Sequence, residues 1–505
     1  MRSLNFGVLL AFGLLGLLLT AAGCGQQRHY AGMGESFRGP EAHNTEEYAA
    51  INETGFTSPI INPLSTFSIN VDTASYSLVR AKLAKGDKIT PDMVRLEEFV
   101  NYFSYHYPEP ADSEPIAVST MLSSCPWNGS RNLLQIGLST KDLDMSKAPP
   151  SNLVLLLDVS GSMDSPDKIG LLRKSFALLV ENLRVSDRIS IVVYAGNEAT
   201  LLDGATGAER AKILEVINSL YAEGSTHGEA GIRAAYGLAR KNFIKGGINR
   251  ILLATDGDFN VGISSEGDLA RFIGTMRDSG VYLSVLGFGM GNYKDNKMEA
   301  LSKNGNGNMY YIDGLLEAKK VLVEQMGATL NAVADDVKVQ VEFNPSSVKA
   351  YRLLGYEHRR LAAEDFANDR VDAGEIGSGH SVTALYEIIP SDSDEEVPEL
   401  ELKYQKKPVT QKSADLGSVA IRWKDPGSSQ SRLAEHRVLN GSFLDNPPDD
   451  FRWAAAAAEL ALVLGESRYA PKATLNGALK MAKSTDYKED EYRREFVALL
   501  ERMIK

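Results

Sequence analysis

Between about residue 150 and residue 330, short apolar runs recur without alternation: Leu153–Leu157, Ile189–Tyr194, Ile251–Ala254 and Tyr282–Leu286. A strand buried on both faces reads this way, and such strands belong to parallel sheets. Between the runs, apolar positions fall at helical spacing. Leu172, Phe176, Leu179 and Leu183 form one stripe, introduced by Ser165-Pro166-Asp167 as cap, first-position proline and first-turn acid. Further helices are predicted over about 207–219, 229–244, 266–279 and 315–330. Strands alternating with helices predict a doubly wound, mainly parallel α/β domain.

The flanks follow a different rhythm. Phe67, Ile69 and Val71 alternate as in a half-buried strand, and Thr90-Pro91 opens a predicted helix through Val94, Leu96, Val100 and Phe103. Strand-like runs follow at Ile116–Leu122 and Asn132–Leu138. After Asp335, alternation returns in Val337, Val339, Val341 and Phe343; in Val382, Ala384, Tyr386 and Ile388; in Leu400, Leu402 and Tyr404; and in Val419, Ile421 and Trp423. These are antiparallel strands with one wet face, hence a β-sandwich or open sheet. Pro447-Pro448-Asp449-Asp450 opens an Ala-rich helix over about 450–464, and a last helix is expected over about 486–503. Because strand signals lie on both sides of the α/β segment, a mainly β domain interrupted by it is expected. The strands of 116–138 should then pair with strands after 337.

Length and composition add boundaries. A chain of 505 residues exceeds what one core usually supports. Arg2 precedes an apolar stretch, Phe6–Leu19, of signal-peptide length, followed by Ala21-Ala22-Gly23-Cys24. The end of this segment, Leu19-Thr20-Ala21-Ala22-Gly23-Cys24, resembles a bacterial lipobox, with Ala21 where leucine is usual. Residues 1–23 are thus expected to be a lipoprotein signal peptide and Cys24 the lipidated residue. A tether at 24–63, poor in large apolar residues, would have a reach of about 35 Å. A flanking region at 64–149, the α/β domain at 150–330 and a β-rich plus helical domain at 331–505 complete the expected organisation. Cys125 is then left without a partner, and it reads as a buried apolar side chain. A formal charge of −12 without any basic stripe excludes nucleic acid as a partner.

Candidate chemistry gathers at strand ends. Leu153–Leu157 runs into Asp158-Val159-Ser160-Gly161-Ser162, and a second strand ends in Thr255-Asp256-Gly257-Asp258. The loop Gly224-Ser225-Thr226-His227-Gly228 precedes a helix. In an open α/β sheet, ligands sit at the carboxyl ends of strands. Asp158, Ser160, Ser162, Thr226 and Asp256 offer two carboxylates and three hydroxyls. Such an all-oxygen set suits Mg²⁺, Mn²⁺ or Ca²⁺ rather than zinc or copper. Hydroxyls donate weakly, so the ion would remain electrophilic. No Walker lysine, H-E-x-x-H or G-x-S-x-G occurs. His227, Asp164, Asp167 and Asp258 lie near the motifs and read as solvated or capping groups.

The D-x-S-x-S of Asp158, Ser160 and Ser162, with Thr226 and Asp256, resembles the metal-ion-dependent adhesion site of von Willebrand factor type A domains. The flanking segments STFSINVDTASYS and VEFNPSSVKAYRLLGYEHR are similar to those of bacterial von Willebrand type A lipoproteins. The resemblance implies metal held by these five residues and a protein partner that supplies an Asp or Glu to the open position. The implied protein is a non-enzymatic, lipid-anchored binding module of the cell envelope, at the outer membrane in a Gram-negative cell. A metal-assisted hydrolase and an envelope scaffold with a stabilising metal are the alternatives.

Overall fold

Alternating and continuous strands sort into separate sheets in the computed structural model, which describes residues 48–505 apart from 70, 112–113, 143–146, 227, 258–265, 278, 290–294, 327–330, 372 and 398–413. In chain order, β1 (Leu64–Ser68), β2 (Ile116–Ser124) and β3 (Asn132–Thr140) come first. Then follow β4 (Ser151–Asp158), β5 (Arg188–Tyr194), β6 (Glu198–Thr206), β7 (Ile248–Thr255), β8 (Tyr282–Phe288) and β9 (Met309–Ile312). The last group is β10 (Ala332–Phe343), β11 (Val348–Leu354), β12 (Gly374–Gly377), β13 (Ser381–Pro390), β14 (Asp415–Lys424) and β15 (Ser431–Leu439). The helices are α1 (Ala74–Lys85), α2 (Leu96–Val100), α3 (Leu171–Glu181), α4 (Arg210–Asn218), α5 (Gly228–Lys241), α6 (Glu266–Arg277), α7 (Asp295–Asn304), α8 (Leu315–Lys319), α9 (Asp449–Leu464), α10 (Leu475–Lys483) and α11 (Glu491–Ile504). Among the described residues, no helix is long and apolar enough to cross a membrane.

The middle group forms one six-stranded sheet in the order β6-β5-β4-β7-β8-β9. All neighbours are parallel except the antiparallel pair β5–β6. This is the expected doubly wound sheet. Every residue of β4 is buried, as its unbroken apolar run requires. The chain builds outward from β4 to one side and then crosses to the other, so β4 marks the topological switch point, where such sheets open a crevice for ligands. Two strands of this sheet escaped the sequence reading, as did β11, β12 and β15 among the outer strands. β6 is an antiparallel edge with mainly exposed residues, and β9 is only four residues long.

The outer strands form the two layers of a sandwich. One sheet runs β1-β10-β14-β15, with β12 also on β10, and the other runs β11-β13-β3-β2. Strand β3, before the α/β domain, pairs antiparallel with β13 after it, Ile136 opposite Ala384 and Leu134 opposite Tyr386. The domain is therefore inserted into the sandwich, as the distribution of strand signals implied. Period-two alternation divides the sandwich residues between cores. Leu134, Ile136 and Leu138 face Phe67, Val339, Val341 and Tyr386, whereas Leu133 joins the core built by Phe99, Trp453 and Phe496 on the helical side.

Several expected boundaries shift. Thr90 makes no side-chain cap, and the predicted helix is a 3₁₀ turn, Pro91–Met93, followed by α2, because Val94 is extended. Ser165 does not cap either: its hydroxyl donates to Asp167 Oδ1 at 2.6 Å, and a π turn, Pro166–Gly170, precedes α3. Of the helix expected over 315–330, Leu315–Lys319 is α-helical and Lys320–Glu324 forms a π turn, while 327–330 lie outside the described residues. Helices α1, α7 and α10 were not foreseen. The expected strand at Leu400–Tyr404 lies outside the described residues. Glu395, beyond β13, pairs with Arg131 at 2.5 Å.

The junctions of the insertion are fastened by buried charge. Arg80 of α1 is 4% exposed and makes five hydrogen bonds: two to Asp313 after β9, and one each to Glu317 of α8, Glu495 of α11 and the hydroxyl of Tyr102. Lys320 donates to the carbonyl of Tyr102, and its ammonium lies 3.5 Å from the centre of that ring. One guanidinium thus ties the first flank, the exit of the inserted domain and the last helix together. Removing one member of a buried ionic group strands the others without compensation, at a cost of about 3–5 kcal/mol. Arg80→Met should lower the free energy of unfolding by that amount in denaturant titration. Lys212→Ala, which removes an exposed pair with Glu209, should leave the denaturation midpoint close to that of wild type.

Candidate metal centre

Strand β4 delivers Asp158 to the carboxyl edge of the sheet with no exposed surface, and Ser160 is 1% exposed. A buried carboxylate needs donors, and three elements supply them. Its Oδ1 accepts the Ser160 backbone N–H at 2.9 Å, which folds the turn back on itself. Its Oδ2 accepts the hydroxyls of Tyr194, at the end of β5, and Thr255, at the end of β7, each at 3.1 Å. Burial pushes the carboxyl up to about 6; bonds from Ser160 pull it back, and the charge of Asp256 adds to the rise. The same turn sets the Ser160 and Ser162 hydroxyls 3.1 Å apart. Three of the five residues singled out from sequence are therefore gathered at one point.

The fourth, Thr226, is half-buried on the loop before α5. That loop is joined to the turn by two backbone bonds, Gly161 N–H to Gly224 C=O at 3.0 Å and Glu223 N–H to Val159 C=O at 2.7 Å. Its approach depends on Gly231, where an added Cβ would stand 2.9 Å from the Tyr194 Cβ and hold α5 away from β5. The fifth, Asp256, is 1% exposed and follows β7 directly. Its Oδ2 accepts the ammonium of Lys168 at 2.8 Å, and the same ammonium donates to the Ser162 carbonyl at 2.9 Å. Sequence reasoning missed Lys168. It stands in the opening turn before a helix, where nothing in the pattern marks it as reaching another strand.

Among the described residues, no three His, Cys, Asp or Glu side chains form a metal-holding group. This centre instead combines two carboxylates with hydroxyls. Ser162 and Thr226 are half-buried, whereas Asp158, Ser160 and Asp256 are buried. His227 and Asp258 lie outside the described residues, as does Cys24. Asp167 bonds Ser165 and pairs with Lys85 of α1 at 3.2 Å. Cys125 is free and buried, as expected, and burial chiefly raises its thiol well above the usual range.

Residues 152–324 match the family profile described as von Willebrand factor type A domain, and residues 42–135 match one described as von Willebrand factor. Residues 328–505 match the profile of the C-terminal region of uncharacterized protein YfbK. The chain is 41% identical over 466 residues to the uncharacterized protein YfbK of Escherichia coli, covering 90% of this chain and 81% of that protein. It is 25% identical over 311 residues to uncharacterized protein sll0103 of Synechocystis, covering 60% of this chain and 69% of that one. Among solved structures, it is similar to a von Willebrand factor type A protein from Catenulispora acidiphila, at 16% identity and a TM-score of 0.43, over 74% of this chain and 88% of that one.

The donors around Asp158 make its replacements unequal. Asp158→Ala leaves the Ser160 N–H and the Tyr194 and Thr255 hydroxyls without their acceptor, at about 1–3 kcal/mol for each buried group left unmade. Asp158→Asn keeps a carbonyl oxygen in place. In EDTA, the Ala protein should therefore melt several degrees below wild type and the Asn protein close to it.

Proposed function

This chain belongs to the YfbK family of von Willebrand factor type A proteins, and on that footing we propose that it captures a protein partner through a divalent ion held by Asp158, Ser160, Ser162, Thr226 and Asp256. The observation that carries the reading is the pairing of a fully buried, three-donor Asp158 with two adjacent hydroxyls, of which that of Ser162 belongs to a half-buried residue. The donor set fits a hard cation: every donor is oxygen, and only two of the five carry charge. When bound, the ion supplies an electrophilic position that accepts an outside carboxylate. The residues of the chain do the rest. Asp158 supplies charge from a fixed position, while the hydroxyls add oxygen without adding charge, so an Asp or Glu from the partner meets attraction at close range. The net charge of −12 opposes an acidic partner, but charges beyond about 8 Å are largely screened at physiological salt.

Mg²⁺ should raise the melting temperature of wild type, since an ion that binds only the native state at 100 times its Kd adds about 2.7 kcal/mol. Asp158→Asn and Ser160→Ala should lose the shift. In pull-downs from solubilised envelopes, partner capture should need Mg²⁺ and fail with EDTA or with Asp158→Asn. Capture that survives both rules the metal bridge out. Capture that never occurs beside a normal Mg²⁺ shift favours the scaffold reading, in which the ion only stabilises the fold. The hydrolase alternative is disfavoured by Ser160, which stands two residues after Asp158 where aspartyl phosphoryl-transfer sites place a second acid.

We further propose that Cys24 is lipidated and tethers the body to the cell envelope, on the outer membrane in a Gram-negative cell. The support is the signal-like segment before it and the lipobox resemblance. Radiolabelled palmitate should enter the wild-type protein and not Cys24→Ala. Labelling that persists in the variant ends the proposal.

A further inference from the structure

The ammonium of Lys168 lies between two of the residues proposed to bind metal. It donates to the Asp256 carboxylate at 2.8 Å and to the Ser162 carbonyl at 2.9 Å. The pair is withdrawn from water, with the Lys168 side chain 11% exposed and that of Asp256 wholly buried. A second observation shows that the path of this side chain is built into the opposite wall. Gly289, just past β8, has φ +72, and a Cβ there would stand 2.4 Å from Lys168 Cγ and 2.5 Å from its Cε. The stem of Lys168 runs through the space that a side chain at 289 would fill. Gly289 is itself held, because its carbonyl accepts the Tyr311 hydroxyl at 2.8 Å. A glycine in left-handed backbone, pinned by a hydrogen bond and roofed by a lysine stem, is a specific arrangement for bringing one cation to Asp256.

Electrostatics gives the arrangement a consequence. Asp158 and Asp256 are both buried, and a buried carboxylate without a counter-charge is strongly disfavoured. Lys168 supplies that counter-charge to Asp256. A divalent ion entering among Asp158, Ser160 and Asp256 would meet the ammonium at short range, where like charges repel strongly. The two cations have only one Asp256 carboxylate to share. We propose that Lys168 is the resident cation of this site: it neutralises Asp256 when no divalent ion is bound, and it leaves that carboxylate when one enters. The inference deepens the metal-binding reading and rests on it. It makes metal loading an exchange of cations, so the metal-free fold stays stable and the affinity for metal is set low by competition.

The test is Mn²⁺ titration of the full chain by calorimetry, with Lys168→Met compared to wild type, and with Lys168→Gln as a second variant that keeps a polar end should the first not fold. Mn²⁺ should bind the variants more tightly, on the order of tenfold, the coupling typical of two linked sites. In EDTA, the variants should melt below wild type because the buried Asp256 carboxylate loses the Lys168 ammonium, and saturating Mn²⁺ should close that gap. If wild type binds Mn²⁺ and both variants bind it equally or more weakly, the exchange is overturned while the metal reading stands. If neither wild type nor either variant binds Mn²⁺, the metal reading falls and the exchange falls with it.

Discussion

A domain inserted into a sandwich must leave it and return at fixed points, and in this protein one buried guanidinium meets that demand. Arg80 places all its donors on Asp313, Glu317, Glu495 and Tyr102, which come from the exit of the inserted domain, its last helix, the C-terminal helix and the first flank. A planar fork with several fixed donors suits such a junction better than an ammonium, because each carboxylate is held in direction as well as distance. Lys320 adds a second buried cation close by, lowered to about 8 chiefly by burial and packed over the rings of Tyr102 and Tyr492. A second ionic group, Asp72 with Arg359 and Arg95 with Glu98 and Glu299, ties the flank to α7 and to the sandwich. These groups convert three stretches of chain into one frame.

The frame matters because the candidate site has one rigid side and one open side. Asp158 is locked by donors from the ends of β4, β5 and β7, so its position follows from the register of a sheet that cannot slide without burying the wrong side chains. Ser162 and Thr226 instead sit on a turn and a loop joined by two backbone bonds. A site built this way keeps its charged donor preorganised while Ser162 and Thr226 are only half-buried. The segment after β9, which leads from the site's domain to the sandwich, is anchored by Glu317 and Lys320, so a displacement there would have to break buried ionic contacts.

Much of this was legible in the residues. Unbroken apolar runs marked β4, β5, β7 and β8 because strands covered on both faces tolerate few polar positions. Alternation marked β10 and β14, each with one face only half-buried, and also β13, which lacks the expected wet face because its second face is covered too. The D-x-S-x-S turn at Asp158 was readable because alternate residues of a turn after a strand point the same way. The misses have physical causes as well. β6 buries few side chains and β9 is too short for a periodic signal. Ser165 and Thr90 were read as caps from local chemistry, but a π turn in one case and an extended Val94 in the other changed the local path. Helix α1 packs polar residues such as Ser75, Ser77 and Arg80 inward, which removes the stripe that would have revealed it.

By itself, the sequence determined the strand classes, the position of the inserted domain between two sets of alternating strands, and the five oxygen-bearing residues, because these depend on spacing along the chain. Only the tertiary structure decided which charges meet. Arg80 and Glu495 are 415 residues apart, and Lys168 and Asp256 are 88 apart. No local pattern encodes such pairs. Their partners are chosen by desolvation, which forces each buried ion to the nearest counter-charge that the fold presents.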